Sequence, residues 1–315
     1  MIITRAPLRI TLGGGGTDVP SYYREHGGFC VAMAIDKYVY ITLHETFESG
    51  ITLKYSKMEH VKSVDEIEHP IFREALRMMN LRDPHLEIAS HADIPAGTGL
   101  GSSSSFTVAL LAALFAYKEM DVPVRTLARY ASELEIDTLG EPIGKQDQYA
   151  AALGGLIGLT FCADDTVDIA IFPKTRTQFW ADNLMLFFMG YPARSASSIL
   201  ATQNNDNLNA IKDAGYHAWQ MLSRSGDDLF GLLGEELNTQ WRLKCERDTL
   251  TPTQIIEWHK LGLDNGAFGG KMVGAGGGGF LLFQPQDPQK LRTEMHKSGL
   301  KEVRFNADLD GAKII

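Results

Sequence analysis

Pro95-Ala-Gly-Thr-Gly-Leu-Gly-Ser-Ser-Ser-Ser-Phe106 is the stretch on which the reading of this chain turns. Gly97, Gly99 and Gly101 alternate ahead of four serines, and the apolar run Phe106–Tyr117 then has the character of a helix. Glycine permits positive φ and lets backbone N–H groups approach a ligand closely. A helix start offers unpaired N–H donors and the positive end of the dipole, and serine is a favoured N-cap. Together these features form a cradle for phosphate and point to a nucleotide. A Walker loop needs Gly-Lys-Ser/Thr, but here Ser102 follows Gly101 directly, so that lysine is missing.

The bulk composition frames this motif. At 315 residues the chain has room for two domains. Apolar residues make up 44% and charged residues 22%, ordinary values for a globular protein. No window reaches the apolar length of a membrane span, and the start has no basic segment leading an apolar one. The formal charge of −9 is spread without a basic stripe, which argues against nucleic acid as a partner. Cys30, Cys162 and Cys245 are few and far apart, which excludes a CxxC site and fits buried thiols in a reducing compartment. A cytoplasmic protein with no membrane partner, present as a monomer or homodimer, is expected.

Periodicity predicts strands over Ile2–Leu12, Val31–Glu45, Leu86–Ser90, Leu156–Phe161 and Leu184–Met189, with Ile51–Tyr55 pairing with the second. Helices are predicted over Pro70–Asn80, Val124–Glu135 and Gln148–Leu153, and in stretches over Ser195–Gly215, Ala218–Leu222 and Leu229–Lys244. The pattern resets around Thr175–Asp182, giving an expected N-terminal domain over residues 1–178 and a C-terminal domain over 179–315. Trp180, Trp219, Trp241 and Trp258 are expected to pack the second of these, and the histidines show no ligand spacing.

Two further glycine segments stand beside the first. Gly13–Asp18 taken alone is as compatible with turn chemistry as with function. Gly274, Gly276 and Gly279 meet the GxGxxG spacing, but a strand, Phe280–Phe283, follows where a Rossmann fingerprint needs a helix. The alternative for this segment is a tight connection before a strand.

In order and spacing, three motifs make the chain similar to the GHMP small-molecule kinases over essentially its whole length. These are Ala6-Pro-Leu-Arg9 through Gly16-Thr-Asp18, Pro95–Ser104, and Lys271–Phe280. Within that family, Gly14-Gly-Gly-Thr-Asp-Val-Pro20 and Gly140-Glu-Pro-Ile-Gly-Lys-Gln-Asp147-Gln-Tyr-Ala resemble the kinases of D-glycero-D-manno-heptose 7-phosphate. The resemblance implies an α+β fold of two domains, the first like domain 2 of ribosomal protein S5 and the second ferredoxin-like. It also implies ATP and Mg²⁺ as cofactors, and a small-molecule sugar phosphate phosphorylated at its anomeric hydroxyl.

Site residues follow from the same resemblance. Pro95, Gly97, Gly99, Leu100, Gly101, Ser102, Ser103 and Ser104 bind the nucleotide, and Ser103 with Glu135 holds the metal. Glu135 precedes Asp147 by twelve residues, a spacing similar to the family's metal carboxylate and catalytic aspartate, with Glu133 the less favoured candidate. Asp147 is the implied catalytic aspartate and Arg9 the basic residue that pairs with it and polarises the attacking hydroxyl. Taken alone, an Asp near a helix start is more often a cap. Thr17, Asp18, Gly276 and Gly277 are assigned to the sugar. Arg194, ahead of a serine-rich helix start, is either a phosphate ligand or an ordinary surface arginine.

Overall fold

The first half of the chain is built on β1 (Ile2–Gly13) and β2 (Gly28–Glu45), linked through α1 (Pro20–His26). The β-branched and aromatic content of β2 suits a pleated surface buried on both faces. A short hairpin of β3 (Ile51–Lys54) and β4 (Met58–Val61) follows, then α2 (Pro70–Met78) and β5 (Leu86–Ala92). Next come α3 (Ser102–Tyr117), α4 (Val124–Ser132), α5 (Gln146–Leu153), β6 (Leu156–Phe161) and β7 (Val167–Ile171). Beyond α6 (Lys174–Asp182) and β8 (Met185–Phe188) lie α7 (Leu208–Ser223), α8 (Leu232–Arg247) and α9 (Thr253–Asp264). The chain closes through β9 (Ala267–Val273), β10 (Phe280–Pro285), α10 (Pro288–Lys297), β11 (Lys301–Glu302) and β12 (Lys313–Ile314). The computed structural model describes residues 1–81, 84–190, 207–224, 231–247, 251–274 and 276–315.

The fold is α+β with two sheets, one in the order β12-β1-β2-β5-β3-β4 plus β6 and β7, the other β11-β8-β10-β9. β2 is the spine of the first. One edge pairs with β1; along the other, Gly28–Met33 pairs with β6 and Val39–Glu45 with β5. Because β5 occupies that edge, β3 cannot pair with β2 as expected; it runs parallel to β5 and antiparallel to β4. Strand β12 returns to β1, so the last residues belong to the first sheet. Residue 178 lies within α6. One apolar core fills the space between the first sheet and α2 to α5, and another joins its opposite face to β8, β9 and β10 of the second sheet.

Several local expectations change. Helix α3 starts at Ser102, but its cap is Gly101 in the left-handed region (φ +77°), with no side-chain cap bond. The serine hydroxyls therefore do not consume the first N–H donors. Helix α4 ends at Ser132, and a single π-helical turn continues through Glu133–Thr138. Helix α7 runs unbroken where two stretches were expected, and the predicted helical residues 195–206 lie outside the described residues. Trp219 packs the core between the sheets from the side of the first sheet. It lies against Phe29 and Phe172, above Gly158 of the first sheet, where a Cβ would come within 2.8 Å of its ring.

Alternation along β1 sets the site. Leu8, Ile10 and Leu12 point into the core shared by the two sheets, so Arg9 and Thr11 project from the opposite face. At the end of β1 the glycine run solves a packing problem: a Cβ on Gly14 (φ +76°) would lie 1.8 Å from the Phe29 carbonyl oxygen. Gly215 of α7 packs on the same turn, 3.0 Å from Gly14 Cα at its own Cβ position. Gly14→Ala is expected to lose at least about 2 kcal/mol of unfolding free energy through left-handed strain and overpacking, measured by denaturant titration.

Candidate active site

A cavity of about 440 Å³ opens where β1, the Gly97–Ser104 loop, the start of α5, the π-helical turn and the second sheet meet. Arg9 and Asp147 stand at its centre. Arg9 Nε donates to Asp147 Oδ1 at 2.7 Å and Nη2 to Oδ2 at 2.6 Å, while Nη1 donates to the Gly99 carbonyl at 2.7 Å. This fork of parallel charge-assisted bonds fixes both side chains. The Arg9 backbone N–H also donates to the Leu100 carbonyl, so the Gly97–Ser104 loop is tied to β1 twice.

Gln146 extends the network. Its Nε2 donates to Thr11 Oγ1 at 2.8 Å and to Asp147 Oδ1 at 2.9 Å. Its backbone N–H donates to Asp18 Oδ2 at 3.0 Å, and Gly16 N–H donates to Asp18 Oδ1 at 3.0 Å. Burial pushes the Asp18 carboxyl up, the nearby Asp147 charge adds to the rise, and these N–H bonds pull it back. Asp18 lines the cavity and also grips the loop that presents Asp147. A Cβ on Gly144 would sit 1.9 Å from Asp18 Oδ2, so only glycine lets the two segments meet.

Thr17 does not reach the cavity. It is fully buried, and its hydroxyl is engaged with the carbonyl oxygens of Gly14 and Phe29 and the Phe29 N–H. It therefore holds the turn on which Asp18 rides. In the loop expected to bind nucleotide, Gly97, Gly99, Gly101 and Ser102 to Ser104 line the cavity. Pro95 is exposed outside it, and the Leu100 side chain is buried in the core between the sheets. Gly276 and Gly277 are absent from the lining, where Lys271, Met272 and Gly274 represent the third motif. Gly274 presses on the first loop, and its Cβ would lie 2.3 Å from the Gly99 carbonyl oxygen. Arg194 lies outside the described residues.

Ser103 and Glu135 come together as expected, with Ser103 Oγ donating to Glu135 Oε1 at 3.0 Å. Gln148 Nε2 donates to Oε2 at 2.6 Å. Burial pushes the Glu135 carboxyl up, and hydrogen bonds from Gln148, Ser104, Ser103 and Thr107 counter it. The π-helical turn separates the two acidic candidates: Glu135 lines the cavity, while Glu133 faces outward and pairs with Arg129 at 3.4 Å. Such turns recur at functional positions. A hydroxyl beside one carboxylate is a donor set that fits Mg²⁺, which takes oxygen ligands and retains waters.

Sequence reasoning missed three cations in the lining: Lys244, Arg247 and Lys271. On a helix a lone Lys or Arg reads as solvated, and no local pattern separates Lys244 and Arg247 from the rest, whereas Lys271 opens the third glycine motif and could have been found there. Lys244 Nζ donates to the Gly274 carbonyl, and the Arg247 guanidinium lies over Gly16, 2.7 Å from a Cβ there. Lys271 Nζ donates to Gln240 Oε1 at 2.6 Å.

The sequence matches the GHMP kinases N terminal domain over residues 66–155 and the GHMP kinases C terminal domain over residues 227–301. It is 27% identical to the D-glycero-alpha-D-manno-heptose 7-phosphate kinase of Campylobacter jejuni, covering 99% of this chain and 97% of that one. It is also 27% identical to the L-fucokinase/L-fucose-1-P guanylyltransferase of Bacteroides fragilis, over 90% of this chain but 34% of that longer protein. Among solved structures, a D-glycero-D-manno-heptose 1-phosphate kinase from Bacteroides thetaiotaomicron superposes with a TM-score of 0.80 at 24% identity, covering 100% and 99% of the two chains. The chain belongs to the GHMP kinases, which are ATP-dependent phosphotransferases.

Gly144→Ala is expected to leave the fold standing while displacing Asp18 and the loop that carries Asp147. Steady-state kinetics should show kcat/KM lowered by about 10²-fold, the scale of an ångström-sized misplacement.

Proposed function

We propose that this GHMP kinase transfers the γ-phosphoryl group of ATP to the anomeric hydroxyl of D-glycero-D-manno-heptose 7-phosphate, giving the 1,7-bisphosphate. The observation that carries the reading is the Arg9–Asp147 pair, set between an uncapped helix N-terminus and Asp18. Backbone N–H groups of the glycine loop and of the first turn of α3 receive the nucleotide phosphates. Mg²⁺, when bound with ATP, offsets charge on the phosphate oxygens, and Ser103 with Glu135 supplies the protein's oxygen donors for it.

Asp147 orients the acceptor. A carboxylate has about four lone-pair positions, and Oδ1 here takes Arg9 Nε and Gln146 Nε2 while Oδ2 takes Arg9 Nη2. Oδ2 retains a position for the acceptor hydroxyl. Because the paired guanidinium balances its charge, the carboxylate aligns the hydroxyl for in-line attack more than it acts as a strong base. Asp18 accepts from sugar hydroxyls beside it.

The acceptor's own phosphate needs cations, and Arg247 over Gly16 with Lys244 behind Gly274 supplies them. These cations and the full-length match to a heptose 7-phosphate kinase favour a phosphorylated acceptor. The match to an L-fucokinase supports the second reading, an unphosphorylated L-fucose-like sugar.

ATP consumption across a panel of sugars and sugar phosphates separates the two. The heptose 7-phosphate is expected to give the highest kcat/KM; preference for any unphosphorylated sugar would overturn the assignment. Asp147→Asn is expected to lower kcat by about 10²- to 10⁴-fold while calorimetric affinity for ATP stays unchanged. Full turnover in that variant would remove Asp147 from the mechanism.

A further inference from the structure

Lys271 takes no part in the reaction as set out above, yet it faces the reacting groups. It sits on β9 between the buried Gly270 and Met272, is itself 7% exposed, and lines the cavity shared by Arg9 and Asp147. Its hydrogen bond goes to a neutral amide, Gln240 Oε1, and Gln240 Nε2 in turn faces Glu236 Oε1 at 3.4 Å. A buried ammonium held by a neutral acceptor is expensive unless a counter-charge reaches it.

Among the described residues, the groups around it do not supply that charge by direct contact. From β1 comes Arg9, a like charge already committed to Asp147; from β2 comes the Cys30 thiol; from α8 comes Glu236, one residue removed through Gln240. Burial pushes the Cys30 thiol well up, so it stays neutral, and burial also raises the Glu236 carboxyl. The open side of Lys271 is the cavity. Three residues on, the same strand delivers Gly274 against Gly99, which places β9 beside the nucleotide loop.

We propose that Lys271 binds an oxygen of the phosphoryl group being transferred, joining Arg9 as a second cation at the transfer point. The inference rests on the kinase reading but assigns a residue that the reading leaves idle. The same ammonium chemistry would suit the acceptor's own phosphate, and the test separates the two sources. Burial pulls the Lys271 ammonium down to about 8; Glu236 opposes that fall, and Arg9 adds to it. Below that pH the residue is charged and can pair; above it the charge is lost. Because kcat/KM reports the free enzyme, it should fall above about pH 8, whereas the limb in kcat moves to higher pH once a bound phosphoryl group stabilises the ammonium.

The experiment compares the full chain with Lys271→Met and Lys271→Arg. Lys271→Met should lose about 10²- to 10³-fold in kcat/KM at pH 7, the scale of one lost charge-stabilising donor, without a lower melting temperature. Lys271→Arg should recover part of the activity and lack the limb near pH 8. In calorimetry, Lys271→Met should weaken a non-hydrolysable ATP analogue about tenfold more than ADP, a difference of about 1.4 kcal/mol. Turnover in Lys271→Met within threefold of wild type would overturn the proposal, as would an alkaline limb that survives in Lys271→Arg. Equal weakening of analogue and ADP, or a loss confined to phosphate-bearing acceptors, would move Lys271 away from the transferred group and overturn it too. The nucleotide arm needs no acceptor. A wild-type protein inactive on every sugar would therefore sink the sugar-kinase reading while the analogue-to-ADP comparison still decides Lys271.

Discussion

The forked bond between Arg9 and Asp147 is the constraint on which the site depends. Its two ends lie 138 positions apart in sequence, one on strand β1 and the other in the first turn of α5. The same guanidinium holds the Gly99 carbonyl, so a single side chain sets the distance between the Gly97–Ser104 loop and the aspartate. A planar fork does this where a lysine could not, because it makes parallel bonds to the carboxylate and still reaches a third acceptor. The strand's alternation supplies the rest: with Leu8 and Ile10 drawn into the core between the sheets, Arg9 is left facing the cavity.

Around that pair the glycines act mostly by what they leave out. Gly14 admits the Phe29 carbonyl, Gly144 admits the Asp18 carboxylate, and Gly274 admits Gly99. Each contact brings together segments distant in sequence, and together they close the three glycine-rich motifs around one cavity. Gly101 contributes differently, ending the loop in the left-handed region so that α3 begins without a side-chain cap. The donors at that helix start are then available to an anion.

Much of this was legible in the sequence where local pattern and chemistry agree. The helix read over Phe106–Tyr117, which in the structure begins four residues earlier at Ser102, the strand over Leu156–Phe161 and the juxtaposition of Ser103 with Glu135 follow from periodicity, propensity and resemblance. Elements governed by non-local pairing were not legible: β3 chooses β5 over β2 because the edge of β2 is already filled. Trp219 packs on the first sheet because Gly158 leaves it room, and nothing near residue 219 records that. Thr17 looked like a sugar ligand beside Asp18, yet burial turns its hydroxyl to its own turn. Lys244 and Arg247 carry no motif that marks them as inward, and Lys271, though it opens the third glycine motif, was given no role there, so the three-dimensional arrangement is what identifies them.

A double-mutant cycle on kcat/KM for Arg9→Met and Asp147→Asn tests the central claim most directly, with ATP and the preferred acceptor as substrates. If the two side chains act as one unit, the double variant will be about as impaired as the worse single variant, with a coupling of at least about 2 kcal/mol. Losses that simply add would mean that Arg9 and Asp147 serve the reaction independently, and would contradict the account.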